Sequence, residues 1–152
     1  MKKILLGLMA LFVSSAFAER ASTPSPEDAL TQGVKYITLT EAKKAFDTGV
    51  IFLDARKPID IARGKIKGSL KASYNDKGGN KNKLMNWDKS KDSYVKDNFP
   101  SDKSASIITY CNGVKCWKSY KLAVELVNAG YKDVNWLRDG FPSWKDAGYP
   151  TE

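Results

Sequence analysis

An α/β domain built on a parallel sheet is the fold class this sequence predicts, and three observations predict it. Val50-Ile51-Phe52-Leu53 is an unbroken apolar run closed by Asp54-Ala55-Arg56, the pattern of a strand buried on both faces of a parallel sheet. Ser106 to Tyr110 is a second such run, with Ile107, Ile108 and Tyr110 β-branched or aromatic. Between and after these runs apolar residues recur at helical spacing, so strands alternate with helices along the chain.

The chain opens with Met1-Lys2-Lys3, an apolar run from Ile4 to Val13, and Ser14-Ser15-Ala16-Phe17-Ala18. A basic start, a short apolar stretch and small residues three and one before a cut predict a secretory signal peptide over residues 1–18. The run falls short of the roughly 20 residues of a membrane span, so a mature protein free of the membrane and soluble in the periplasm is expected. Residues 19–33, rich in Ser, Thr, Pro and charge, read as a flexible lead-in, and residues 34–152 as one domain.

Within the domain, Thr38 and Glu41 form a capping box for a short helix carrying Ala42, Ala45 and Phe46, with Gly49 as its stop. The strand ending at Arg56 follows. One helical turn is expected over Ile59 to Arg63, then a glycine-bracketed turn from Gly64 to Leu70 leading to a short strand. Ala72 to Lys83 reads as a polar loop, and Leu84 to Phe99 as a helix closed by Pro100. After the strand ending at Tyr110, Leu122, Ala123, Leu126 and Val127 mark a helix stopped by Gly130. Val134 to Leu137 is a last strand, and Phe141-Pro142-Ser143-Trp144 starts a final helix with Pro142 in its first turn.

Composition removes whole mechanisms. There is no histidine, so no Ser-His-Asp triad, Cys-His pair or histidine-bound zinc is available, and two cysteines cannot close a four-thiolate site. No metal or cofactor is expected. The net charge of +8 suits solubility or the steering of small anions, and for an exported chain nucleic acid is not the expected partner. Chemistry must therefore rest on thiol sulfur, carboxylates, lysines and backbone dipoles.

Both cysteines lie in Cys111-Asn112-Gly113-Val114-Lys115-Cys116-Trp117-Lys118-Ser119, where a strand gives way to a helix. Unused backbone N–H groups of such a loop and of a first helical turn converge on whatever occupies the cradle, favouring a thiolate and an anion beside it.

These pieces together resemble a rhodanese-like domain over residues 36 to 150. The resemblance rests on the strand ending Asp54-Ala55-Arg56, on Gly64-Lys65-Ile66-Lys67-Gly68-Ser69 in place of a Gly-His-Ile-Pro-Gly-Ala turn, and on the strand ending in Cys111. It rests also on the helix from Ser119 to Gly130-Tyr131, and on Leu137-Arg138-Asp139-Gly140-Phe141-Pro142-Ser143-Trp144 with Ala147-Gly148-Tyr149-Pro150. It implies an open parallel sheet flanked by helices on both faces, and a sulfurtransferase in which Cys111 attacks a thiosulfate-like donor and carries a persulfide to a thiophilic acceptor. Asn112, Gly113, Val114, Lys115 and Trp117 would line the substrate cradle, Lys118 would add positive charge, and Asp54, Arg56 and Ser119 would support the loop. The partners implied are a small sulfur anion or low-molecular-weight thiol, or a protein that gives or takes sulfur.

Two features depart from the family pattern Cys-x-x-Gly-x-Arg-Ser. Ser119 stands eight positions after Cys111 instead of six, and Lys118 takes the arginine position. Cys116 leaves several readings open: a resolving thiol that expels sulfide from the Cys111 persulfide, one half of a redox pair, a permanent disulfide, or an inert buried residue. A noncatalytic binding module of the same fold also stays open.

Overall fold

The computed structural model describes residues 23–78 and 87–152. The expected signal peptide, the end of the polar loop from Ala72 to Lys83 and the start of the helix expected from Leu84 lie outside the described residues.

Five parallel strands form the central sheet in the order β1 (Lys35–Tyr36), β7 (Asp133–Leu137), β6 (Ser106–Tyr110), β2 (Ile51–Asp54) and β3 (Leu70–Lys71). Alternate residues of the central strands enter two separate cores, which is why these strands read as continuous apolar runs. Leu53, Ile107, Val134 and Trp136 pack with α4 (Trp117–Asn128) and with Ala29 of α1 (Pro26–Thr31). Phe52, Ile108 and Leu137 pack on the opposite face with Ala42 of α2 (Leu39–Asp47) and Trp144 of α5 (Gly140–Asp146). The open parallel sheet with helices on both faces is therefore present as the sequence predicts.

The local signals act as expected in several places. Thr38 Oγ1 accepts from the Glu41 N–H while a Glu41 carboxylate oxygen accepts from the Thr38 N–H at 2.7 Å, so α2 starts at its capping box. The turn near Ile59 is α3 (Pro58–Ala62). Gly130, at φ 92°, ends the run of α4 in a conformation that favours glycine.

Three stretches differ. Residues 26–31, expected to be part of a flexible lead-in, form α1, capped by the Ser25 side chain accepting from the Asp28 N–H and started by Pro26. The polar loop expected from Ala72 contains β4 (Tyr74–Asn75), and the helix expected from Leu84 to Phe99 is absent from residues 87–99. In its place stand a three-residue 3₁₀ turn at Lys89–Lys91 and β5 (Ser93–Tyr94), which pairs antiparallel with β4. The Tyr94 ring stacks between Tyr74 and Phe99, at centroid distances of 5.4 and 6.0 Å, so two aromatics of the expected helix enter a stack with β4 instead.

Candidate functional site

Strand β6 ends at Tyr110, and Cys111, only 1% exposed, follows at once. Cys116 is the N-cap of α4 and makes no side-chain capping hydrogen bond. The two cysteines are joined in a disulfide with Cα atoms 6.2 Å apart. Gly113, at φ 109°, turns the loop so that its carbonyl accepts from the Cys116 N–H at 2.9 Å. That N–H, expected in the anion cradle, is thus spent inside the loop.

The base of the loop is pinned from α5. The Phe141 N–H donates to the Cys111 carbonyl at 2.8 Å, and a Cβ on Gly140 would overlap the Cys111 carbonyl oxygen and crowd the Gly113 nitrogen. Only glycine fits there, and its φ of 68° is one that glycine adopts freely. The Gly140-Phe141 pair of the closing signature therefore fixes the backbone of Cys111.

The remaining expected site residues are divided between the loop, its supports and the core. Asn112 is exposed and its amide donates to the Asp60 carboxylate of α3 at 3.4 Å, while Val114 and Lys115 are exposed at the loop tip. Trp117 is buried among the core residues, edge-on to Tyr120 at 5.6 Å. Ser119 is buried, accepts from the Trp136 indole N–H at 3.1 Å, and through its carbonyl accepts from the Thr109 hydroxyl at 3.0 Å, locking α4 to β6 and β7.

Beneath the loop, Asp54 and Arg56 form a buried ion pair at 2.6 Å. Tyr110 donates its hydroxyl to the same carboxylate at 2.6 Å and accepts from the Ile66 N–H at 3.2 Å. Arg56 also donates to the Gly64 carbonyl at 2.7 Å, and its guanidinium lies over the Phe141 ring at 4.1 Å. This network joins β2, β6, the Gly64 to Ser69 turn and α5 under Cys111. Burial opposes the Arg56 charge, but the Asp54 hydrogen bond and charge outweigh it and hold the guanidinium pKa above its usual value. Burial and then the Asp54 charge push the Tyr110 phenol well up, so it stays a neutral donor.

Beside the loop lies a cleft of about 700 Å³. Pro58 and Ile59 of α3, Tyr74 of β4, and Tyr94 and Val95 at β5 wall it, and Lys57 and Lys118 stand in its lining. Sequence alone did not reveal it, because its walls come from three separated segments. On α4 itself, Lys121 is buried and bonded to Asp76 at 2.7 Å and Asp92 at 3.3 Å. A signal for this was present: Lys121 sits four residues after Trp117 and three before Val124, on the apolar face of the helix.

The α/β domain thus carries its cysteine loop between a central parallel strand and the helix that follows. The chain belongs to the rhodanese-like domain family, whose model matches residues 38–147. Among solved structures, it resembles a protein of unknown function, described as a possible tyrosine phosphatase, from Rhodopseudomonas palustris, with 28% identity over 86% of this chain and 96% of that one and a TM-score of 0.57. It is also similar to a rhodanese-like domain from Anabaena, with 22% identity over 77% of each chain and a TM-score of 0.53. A polysulfide-sulfur transferase homodimer from Wolinella succinogenes shares the fold at 16% identity, over 83% of this chain and 85% of that one, with a TM-score of 0.55. Comparison with curated proteins gives no match.

Proposed function

We propose that this protein moves sulfane sulfur from a thiosulfate-like or persulfide donor to a thiophilic acceptor through a persulfide on Cys111. The observation that carries this reading is the pairing of Cys111 and Cys116 inside one strand-to-helix loop of a rhodanese-like domain. In the reduced loop the Cys111 thiolate attacks the outer sulfur of thiosulfate. The new bond joins Cys111 Sγ to that sulfur, and sulfite leaves with the electron pair of the old S–S bond. The Cys111 persulfide then gives its outer sulfur to an acceptor thiolate. Failing an acceptor, Cys116 attacks Cys111 Sγ, expels hydrosulfide and leaves the disulfide, which an external dithiol reopens.

The loop between the cysteines supports sulfur over phosphate as cargo. Asn112, Gly113, Val114 and Lys115 include no arginine, so the bidentate fork that suits a phosphoryl group is missing. The start of the chain supports export to the periplasm, where an oxidising environment would return the pair to its disulfide between turnovers.

The disulfide also favours a second reading, a thiol-disulfide redox protein. Cys116 is the more exposed of the two residues, so an incoming thiolate would reach Cys116 and release Cys111. Turnover with thiosulfate and an acceptor thiol separates the two. Sulfur transfer predicts loss of at least a hundredfold in Cys111→Ser, and in Cys116→Ser an end to sulfide release without loss of the first half-reaction. A wild-type protein that shows no thiosulfate turnover yet cycles reversibly between dithiol and disulfide would contradict sulfur transfer.

A further inference from the structure

Residues 139–141 lie directly against the cysteine loop: the Phe141 N–H donates to the Cys111 carbonyl at 2.8 Å, and a Cβ on Gly113 would stand 3.5 Å from the Asp139 carbonyl oxygen. Arg138 comes just before them, at the end of β7. In the register of β6 and β7, Thr109 pairs with Trp136 and Tyr110 with Leu137, so the next step along both strands sets Arg138 beside Cys111. Both side chains leave the sheet on one face. Thr109 and Trp136 each bond to Ser119 of α4, whereas Tyr110 and Leu137 enter the opposite core. Alternation then returns Cys111 and Arg138 to the α4 face. Their contacts agree: Cys111 is bonded to Cys116 at the start of α4, and the Arg138 guanidinium reaches residues just before α1, whose Ala29 shares a core with Trp136.

Arg138 is half-buried, and its partners leave its charge uncompensated. Nε donates to the Pro24 carbonyl at 3.0 Å and Nη2 to the Thr23 hydroxyl at 3.2 Å. Among the described residues no carboxylate pairs with it, and Nη1 makes no hydrogen bond. Neutral acceptors therefore hold one edge of the guanidinium fork, and the other edge keeps its donors. A partly desolvated guanidinium with a donor edge to spare is suited to an oxyanion.

We propose that Arg138 binds the sulfonate end of a thiosulfate-like donor while Cys111 attacks the donor's outer sulfur. The assignment rests on the sulfur-transfer reading and adds to it the group that selects the donor. A thiolate and a thiosulfate dianion repel each other, and no arginine lies between the two cysteines to offset that. With the loop disulfide first reduced by a dithiol, the Cys111 Sγ–S bond forms, the S–S bond of the donor breaks, and sulfite leaves with the electron pair toward Arg138. The persulfide keeps the charge of the thiolate, and sulfite carries away that of the donor. Because Arg138 stands on the neighbouring strand end and not in the loop, it meets oxygens one bond beyond the atom attacked. That arrangement suits a sulfane donor and not a phosphoryl group, whose oxygens sit on the attacked atom itself.

The test uses the reduced protein and two donors, thiosulfate and the hydrodisulfide of 2-mercaptoethanol, which bears no oxyanion, on wild type, Arg138→Met and Arg138→Lys. Arg138→Met is expected to lose at least about tenfold in kcat/KM for thiosulfate, mostly through KM, and less than about twofold for the hydrodisulfide. Arg138→Lys keeps the charge without the fork and is expected to recover part of the loss. An unchanged thiosulfate rate, or an equal loss with both donors as a merely structural tie to Pro24 would give, overturns the assignment. Alkylation of Cys111 in the reduced Cys116→Ser protein needs no sulfur transfer, and there the ratio of iodoacetate to iodoacetamide rates should fall about threefold when Arg138→Met is added. A ratio that stays constant also overturns the assignment. A ratio that falls in a protein whose wild type takes sulfur from neither donor overturns sulfur transfer, and with it the donor role of Arg138.

Discussion

Asp54 and Arg56 meet across two residues at the end of one strand, whereas Lys121 meets Asp76 and Asp92 from 45 and 29 residues away, and both ionic clusters are buried next to the element that carries the cysteines. The first cluster pairs one cation with one anion and adds a neutral tyrosine. The second sets one cation between two carboxylates whose side chains are only 3% and 2% exposed. Neutral donors solvate its excess negative charge: Asp92 also accepts from the Tyr74 hydroxyl at 2.8 Å, the Trp87 indole N–H at 2.6 Å and the backbone N–H of Lys77 at 2.7 Å. The local pair holds the floor of the loop; the distant one fastens the segment around β4 and β5, which walls the cleft, onto α4. Local pairing asks little of the chain, while the long-range cluster makes a large region depend on a single ammonium group.

Removing that ammonium is the most damaging change expected. Lys121→Met leaves two buried carboxylates without their cation and should cost about 4 kcal/mol in urea unfolding. A loss under about 1 kcal/mol would show that the neutral donors alone satisfy Asp76 and Asp92. Arg56→Met should cost less, about 3 kcal/mol, because Asp54 keeps the Tyr110 hydroxyl and the Arg56 backbone N–H as donors. If the order of the two variants is reversed, the contrast drawn between the clusters is wrong.

The smallest effect is on pH dependence. Burial would raise the Asp92 pKa, but its hydrogen bonds from Tyr74, Trp87, Gly78 and Lys77 outweigh burial and hold the carboxyl below its ordinary value. The unfolded chain therefore takes up the proton first as pH falls. The stability this group contributes is complete above the ordinary carboxylate range near about pH 4 and is lost as pH drops through the lower folded-state value. Unfolding free energies of wild type and Asp92→Asn should approach one another between pH 5 and pH 2, in the range of about those values. A constant difference across that range would mean Asp92 does not titrate as argued.

How much of this was legible in the sequence follows from the same contrast between local and distant contacts. Strand β6, Cys111 and helix α4 are contiguous, and the apolar run, the loop and the helical spacing announce them directly. The Asp54 and Arg56 pair was legible because it sits at one strand end. The β4–β5 pair was not: each strand is two residues long, and what selects it over a helix is the stacking of Tyr74 on Tyr94 and the set of donors gathered on Asp92. Helix α1 was hidden by its prolines, which read as disorder but include the one that starts the helix. In the candidate site, both cysteines were evident, but Trp117 went to the core and Gly140 gained its role only from the closeness of its backbone to Cys111. Cleft residues Ile59, Tyr94 and Val95 carry no shared sequence signal, since separate segments bring them together.

The central claim is that Cys111 carries sulfur and Cys116 resolves it, and the intact mass of the mature protein, reduced and then treated with thiosulfate, tests it most directly. The account predicts a gain of one sulfur atom, about 32 Da, that requires Cys111 and persists longer in Cys116→Ser than in wild type. A wild-type protein that gains no sulfur and shows only the loss of two protons to the Cys111–Cys116 disulfide would contradict it and leave the redox pair as the function of the loop.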